Sequence, residues 1–253
     1  RHNRSGLAGL GIDLTQHQLS ARNLLNVERV RRGAQAPAPE AFTTLKNEHD
    51  IVLATMGRMS MEKNQAALIE ALALLRKQDR TEGGGAQGLN VGLAIVGSGV
   101  LEATLRARID SLGLSGHVAL LGHMDNPFPV LGGADLFVLP SLHEGQPVTL
   151  LEAMTLGTGV VASDLPGNRE LIDLGYGVLS GTSPQDIAQA IRSALADPRL
   201  AHGNFDVTEH NARSLRDTLE AVLGPEALHQ QPQGKTASKR RRRKRAASRG
   251  KPA

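Results

Sequence analysis

The amino-acid sequence predicts an α/β domain in which a parallel sheet lies between two layers of helices. Two observations carry this. From Asn47 onward, short apolar runs alternate with stretches of helical period, a rhythm that means βαβ units with right-handed crossovers. Aromatic residues make up 2% of the 253-residue chain, with no Trp and one Tyr. The core therefore has to be built from Leu, Val, Ala and Ile, as in strands buried on both faces. A body of roughly 180 residues buries about 70% of its unfolded surface, which is enough to fold.

The predicted strands, in order, are "DIVLATMG", "NVGLAIVGSG", "HVALLGH", "LFVLPS", "GVVASD" and "GVLS". Helices are expected over Asn64 to Arg76, Val100 to Leu112, Pro147 to Leu156, Asn168 to Leu174 and Pro184 to Ala196. Ser183 followed by Pro184 supplies an N-cap and a Pro at the first helical turn. "FDVTEHNARSLRDTLEAVLG" gives a last amphipathic helix, closed by Gly224 and Pro225. The sequence before Asn47 is less regular, and Gly33 to Phe42 ("GAQAPAPEAF") reads as a linker. The expected division is residues 1–45 as a connection and linker, 46–205 as the ligand-binding domain, 206–228 as the C-terminal helix and 229–253 as a tail.

Ligands of such folds bind at the carboxyl ends of the strands, where helix N-termini offer unpaired N–H groups. The turns to inspect are "GRMSMEKN", "GSGV", "GHMDNP", "SLHEGQP" and "SDLPGN". Two glycine motifs fail as dinucleotide fingerprints. "GGGAQG", Gly83 to Gly88, precedes a strand where the fingerprint follows one, and "GSGVLE" has Glu102 where the third Gly belongs. The first reads as a flexible loop and the second as a tight turn that lets a ligand approach.

Charge is divided along the chain. Residues 229–253 hold ten Lys and Arg and no acidic residue; the remaining 19 basic residues face 25 acidic ones, a net of −6 against +4 for the whole. The tail "KTASKRRRRKRAASRGKPA" is expected to be disordered and to seek polyanions: nucleic acid, an anionic polymer or the negative surface of a membrane. With no cysteine, disulfides and thiolate metal sites are excluded. No stretch near 18 apolar residues and no signal-peptide pattern is seen, so the expectation is a soluble chain.

Five pieces occur together and in order: "GRMSMEKNQAALIEAL", "LAIVGSG", "VALLGHMDNPFPVLGGADLFVLPSLHEGQPVTLLEAMTLG", "VVASDLPGNRELI" and "GYGVLSGTS". Over about Asn23 to Leu223 this set resembles the C-terminal half of family 4 glycosyltransferases, retaining enzymes of the GT-B fold that use nucleotide-diphosphate sugars. Its wording further resembles bacterial transferases acting on cell-wall polymers, some fused to teichoic-acid polymerase domains. The resemblance implies a Rossmann-like donor-binding domain without a cofactor or bound metal. Arg58 and Lys63 then match the pair that grips the diphosphate and stabilises the leaving charge. Glu144 matches the carboxylate at the donor sugar, and Glu152, with seven residues between them and within the apolar run "VTLLEAMTL", the one that accepts from the ribose hydroxyls. Gly57, Gly97, Gly122, His123, Gly145, Val148 and Thr149 complete the implied donor site, the nucleobase lying against the backbone of Leu121 to His123. Where the family pattern has an aromatic residue and Gly after "EG", this chain has Gln146 and Pro147, and Pro147 has no N–H to offer a phosphate.

As isolated residues, Arg58 and Lys63 would be ordinary surface cations, and His123 and His143 loop residues. The expected location is cytoplasmic, or peripheral at the inner face of the membrane, and the resemblance implies an acceptor that is a glycan, a lipid or a cell-wall polymer. The acceptor-holding N-terminal domain is absent from the sequence, which leaves a fragment or a half that works with a partner chain. Two other classes stay open: a non-catalytic nucleotide-sugar-binding module, and a polyanion-binding protein working through its tail. Sugar-nucleotide epimerases of the same fold are a weaker alternative within the enzymes.

Overall fold

In the computed structural model, residues 24–81, 90–145, 147–174, 176–197 and 205–223 are described. The glycine-rich run Gly83 to Gly88, Gln146, Gly224, Pro225 and the basic tail, read above as a loop, a loop residue, a helix stop and a disordered segment, lie outside them. The described residues up to Arg216 form one compact unit; residues 217–223, the end of the last helix, fall outside it.

Six strands form one sheet: β1 (Ile51–Met56), β2 (Val91–Val96), β3 (Val118–Gly122), β4 (Leu136–Leu139), β5 (Gly159–Ser163) and β6 (Val178–Ser180). Their order is β3-β2-β1-β4-β5-β6, and every neighbouring pair is parallel. The chain thus builds outward from β1 in one direction and then returns to build from β4 in the other. The crevice between the carboxyl ends of β1 and β4 is the topological switch point, where such sheets receive ligands.

Alternate strand residues enter two separate cores. Val52, Ala54, Ala94, Val96, Phe137 and Leu139 face one layer, whereas Leu53, Leu93, Ile95, Leu136 and Val138 face the other. Both faces are buried, as the aliphatic runs predict. One layer of the unit is built with α1 (Val27–Ala34), α2 (Glu40–Glu48), α5 (Phe128–Gly133), α6 (Val148–Thr155) and α7 (Pro166–Leu174). The other is built with α3 (Gln65–Thr81), α4 (Glu102–Ser111) and α8 (Pro184–Ala196). Fully buried aliphatics such as Leu68, Leu72, Ile187 and Ile191 each contribute about 1.5–3 kcal/mol of transfer free energy. The last helix, α9, spans Val207–Leu223.

The predicted strands and helices are present with boundaries shifted by a few residues. Ser183 caps α8 as expected, its Oγ accepting from the Asp186 N–H at 3.2 Å. The N-terminal part departs from the reading. The segment Gly33 to Phe42 is no plain linker: its ends lie in α1 and α2, and Val30, Phe42 and Leu45 are core residues. Asn26 starts α1 by accepting from the Arg29 N–H at 2.9 Å, a cap that the charged sequence "VERVRRGA" hides. Short α5 was also missed, because its Pro and two Gly are poor helix formers; burial of Phe128, Pro129, Val130 and Leu131 overrides their propensity.

Candidate functional site

At the carboxyl end of β1, a 3₁₀ turn (Met61–Lys63) and Asn64 lead into α3. Asn64 has φ +53°, a left-handed conformation that Asn tolerates better than most residues. Its side-chain amide donates to the Pro140 carbonyl at 3.1 Å and the Thr182 carbonyl at 3.0 Å. The turn after β1 is thereby tied to the segments that leave β4 and β6. Leu142 N–H adds a bond to the Glu62 carbonyl at 2.7 Å, and buried Gln65 donates to the Arg58 carbonyl at 3.0 Å.

This bracing brings Lys63 and Glu144 together across the switch point. The Lys63 Nζ donates to Glu144 Oε1 at 2.6 Å, and the Ser141 hydroxyl donates to the same oxygen at 2.7 Å. The side chains of Lys63 and Glu144 are 26% and 9% exposed, so the pair is partly desolvated and stronger than a surface ion pair. An ammonium has three N–H donors. Two of them remain after the bond to Glu144 Oε1.

Three glycines form the adjoining floor. Gly97 has φ +130°, and a Cβ there would lie 2.0 Å from the Gly57 carbonyl oxygen, so the turns after β1 and β2 approach as only bare backbones can. Gly57 N–H donates to the Val96 carbonyl at 3.0 Å, and Gly97 N–H to the Gly122 carbonyl at 2.7 Å. Gly57 also leaves room for the Lys63 stem, whose carbons are 3.3–3.4 Å from a notional Cβ.

On the other wall, α6 begins after Pro147 with no side-chain cap. The first-turn amides of Val148 and Thr149 have no carbonyl one turn back within the helix to bond. The Gly145 carbonyl packs against Gly167, where a Cβ would approach it to 2.7 Å. Glu152 follows one turn along α6. Burial raises its carboxyl to about 7, the Arg29 guanidinium on α1 working against that shift. Among the described residues the Glu152 carboxyl has no hydrogen-bond partner, while its backbone carbonyl accepts from the Leu156 N–H at 3.3 Å.

The remaining predicted residues stand apart from the ion pair. Arg58 is exposed, with no partner for its guanidinium among the described residues. His123 is 77% exposed, and its contact is with exposed Asp125 at 3.6 Å. Sequence reasoning missed Asn64 and Ser141. The i, i+3 spacing of Ser141 and Glu144 was a visible signal for the latter, whereas the partners of Asn64 lie 76 and 118 residues away. Among the described residues no three His, Asp or Glu stand together as metal ligands, and no helix is long and apolar enough to cross a membrane.

Fold and geometry together define a doubly wound α/β domain whose switch point carries the Lys63–Glu144 ion pair. A family model described as "Glycosyl transferases group 1" matches residues 39–205. The chain belongs to this family. It is 32% identical over 205 residues to the amylovoran biosynthesis glycosyltransferase AmsK of Erwinia amylovora, covering 77% of this chain and 47% of that protein. It is 28% identical over 148 residues to a GDP-mannose-dependent phosphatidylinositol dimannoside mannosyltransferase of Mycobacterium tuberculosis, covering 58% and 36%. The chain spans about a third to a half of the length of such curated relatives.

Solved structures share the fold. S. aureus TarM, in complex with fondaparinux, α-GlcNAc-glycerol and UDP, superposes with a TM-score of 0.52 at 24% identity, over 76% of this chain and 36% of that one. The C-terminal domain of a group 1 glycosyl transferase (LpcC) from Francisella tularensis does so with 0.52 at 17%, over 76% of this chain and 96% of that domain. The Rossmann-like fold, one half of the GT-B architecture, is thereby established as the sequence predicted.

Proposed function

We propose that this domain binds the nucleotide-diphosphate-sugar donor of a retaining glycosyltransferase that transfers a hexosyl-type group to a glycan, lipid or cell-wall polymer. The observation that carries the reading is the Lys63–Glu144 pair, fixed at the switch point with Nζ donors to spare. Arg58, exposed on the same turn, and Lys63 would hold the diphosphate; charge-assisted bonds of this kind contribute about 1.5–3 kcal/mol each. The same cations would stabilise the negative charge that grows on the diphosphate as its bond to the anomeric carbon breaks. The Val148 and Thr149 amides at the N-terminus of α6 would add to that field. Glu144 would accept from the sugar hydroxyls and Glu152 from the ribose. No resident cofactor or metal enters this scheme.

In retaining transfer the acceptor oxygen bonds the anomeric carbon on the face that the diphosphate leaves, and the acceptor proton passes to the departing phosphate oxygen. Holding the acceptor there is worth up to about 7–11 kcal/mol of the barrier. That task we assign to an acceptor-binding domain outside this chain, on the same or another polypeptide. Fold neighbours solved with UDP and glucose and with UDP and GlcNAc support a nucleotide-sugar ligand. The basic tail would hold the protein to an anionic polymer or to the inner face of a membrane.

The test is calorimetric titration of the 253-residue chain with UDP, GDP and their sugars. We expect saturable binding that weakens on Lys63→Ala or Glu152→Gln by about 1–3 kcal/mol. Unchanged affinity in both folded variants would falsify the assignment.

A further inference from the structure

The arrangement around Glu144 assigns a role to a residue outside the donor contacts named above. We infer that Ser141 is a positioning residue that sets which oxygen of Glu144 faces the donor sugar; the inference rests on the donor-binding reading. Two protein donors converge on Oε1, the Lys63 ammonium at 2.6 Å and the Ser141 hydroxyl at 2.7 Å. Oε2 has no hydrogen-bond partner among the described residues. A carboxylate has about four lone-pair sites on its two oxygens. With one oxygen held from two directions, the carboxyl plane is fixed and the other oxygen is the acceptor left for a ligand hydroxyl.

Lys63 alone could not impose this. An ammonium on a four-carbon stem is a rotatable point charge that follows either oxygen, and here it is also the group that would move to meet a phosphate. Ser141 is different in kind: it is fully buried just after β4, three residues before Glu144, and its hydroxyl sits one rotatable bond from the backbone, with no long stem to wander on. The Asn64 amide bond to the Pro140 carbonyl and the Leu142 amide bond to the Glu62 carbonyl clamp the residues on either side of it. The hydroxyl therefore holds Glu144 in place even while Lys63 is drawn toward a diphosphate. Its effect should fall on recognition of the sugar and leave recognition of the nucleotide alone.

The experiment compares, for the full chain, the nucleotide sugar that binds wild type most tightly among UDP-glucose, UDP-N-acetylglucosamine and GDP-mannose with its parent diphosphate. Ser141→Ala is expected to weaken the nucleotide sugar about fivefold to tenfold, as for loss of one hydrogen bond acting through its partner, and the diphosphate less than twofold. In a Glu144→Ala background Ser141→Ala should cause no further loss, because the carboxylate it orients is gone. Ser141→Thr, which keeps the hydroxyl, should bind like wild type. An equal loss for sugar and diphosphate, an undiminished affinity for the sugar, or the same loss without Glu144 would each overturn the inference. If wild type binds no diphosphate at all, the donor-binding reading fails, and this inference with it.

Discussion

Replacing Lys63 by alanine leaves the Glu144 carboxylate with Ser141 as its remaining partner among the described residues. Breaking a fully buried ion pair by removing one member costs about 3–5 kcal/mol, because the other charge stays desolvated. An exposed pair is worth about 0–1 kcal/mol. Here the carboxylate is 9% exposed and the ammonium stem 26%, so the case lies between, nearer the buried limit for Glu144. A destabilisation of about 1–3 kcal/mol is expected, which for a domain of this size lowers Tm by about 2–12 °C. The double variant Lys63→Ala, Glu144→Gln, compared with each single variant, removes both charges and should recover at least half of the loss, since no unpaired carboxylate remains. Urea unfolding of all variants in one buffer, without nucleotide, measures the coupling directly. If Lys63→Ala is within about 0.3 kcal/mol of wild type, or the two changes are additive to that margin, the two groups do not interact as placed.

Further outcomes are expected. Because burial holds Glu152 near 7, the folded chain keeps a proton that the unfolded chain releases between about pH 4.5 and 7. This contribution to stability is complete below that window and is lost as pH rises through 7. Glu152→Gln should therefore flatten the stability–pH curve there and, with its partial exposure allowed for, add about 1–2 kcal/mol at pH 8, seen in melts at successive pH values. Gly97→Ala puts a Cβ into the Gly57 carbonyl at φ +130° and should lower Tm sharply, by strain of about 1–3 kcal/mol before the clash is counted. Gly145→Ala, with open space around it, is the control and should leave the melt within about 0.5 kcal/mol of wild type. Deleting residues 230–253 removes the basic run and should abolish retention on heparin at low salt while nucleotide titrations are unchanged. Supplied with radiolabelled donor and a glycolipid or polyol acceptor, the chain alone should give at most slow hydrolysis; efficient transfer would refute the need for an acceptor domain.

The strands were legible because each is a run of Val, Ile, Leu and Ala between turn residues, and burial on both faces leaves no ambiguity of pattern. The first two helices and α5 were not. They run to eight, nine and six residues, and α1 carries a single buried residue, Val30. Packing against the sheet decides such elements, and that is long-range information. In the site, Lys63 and Glu144 were named through family resemblance, and the structure brings them into contact. No sequence pattern predicts that Asn64 should bond the carbonyls of Pro140 and Thr182, since topology alone makes them neighbours.

That side-chain amide has a consequence for how the domain can work. With the exits of β1, β4 and β6 joined through one residue, and the Gly57 and Gly97 backbones in close approach, this side of the crevice is the more constrained one. Opening and closing around a ligand would then be left to the chain beyond these strand ends or to movement of the domain as one body. A change of ligand preference, in evolution or by design, would be admitted at the opposite wall, near Gly145, where an added side chain meets nothing. One amide thus divides the crevice into a fixed jaw and an adjustable one.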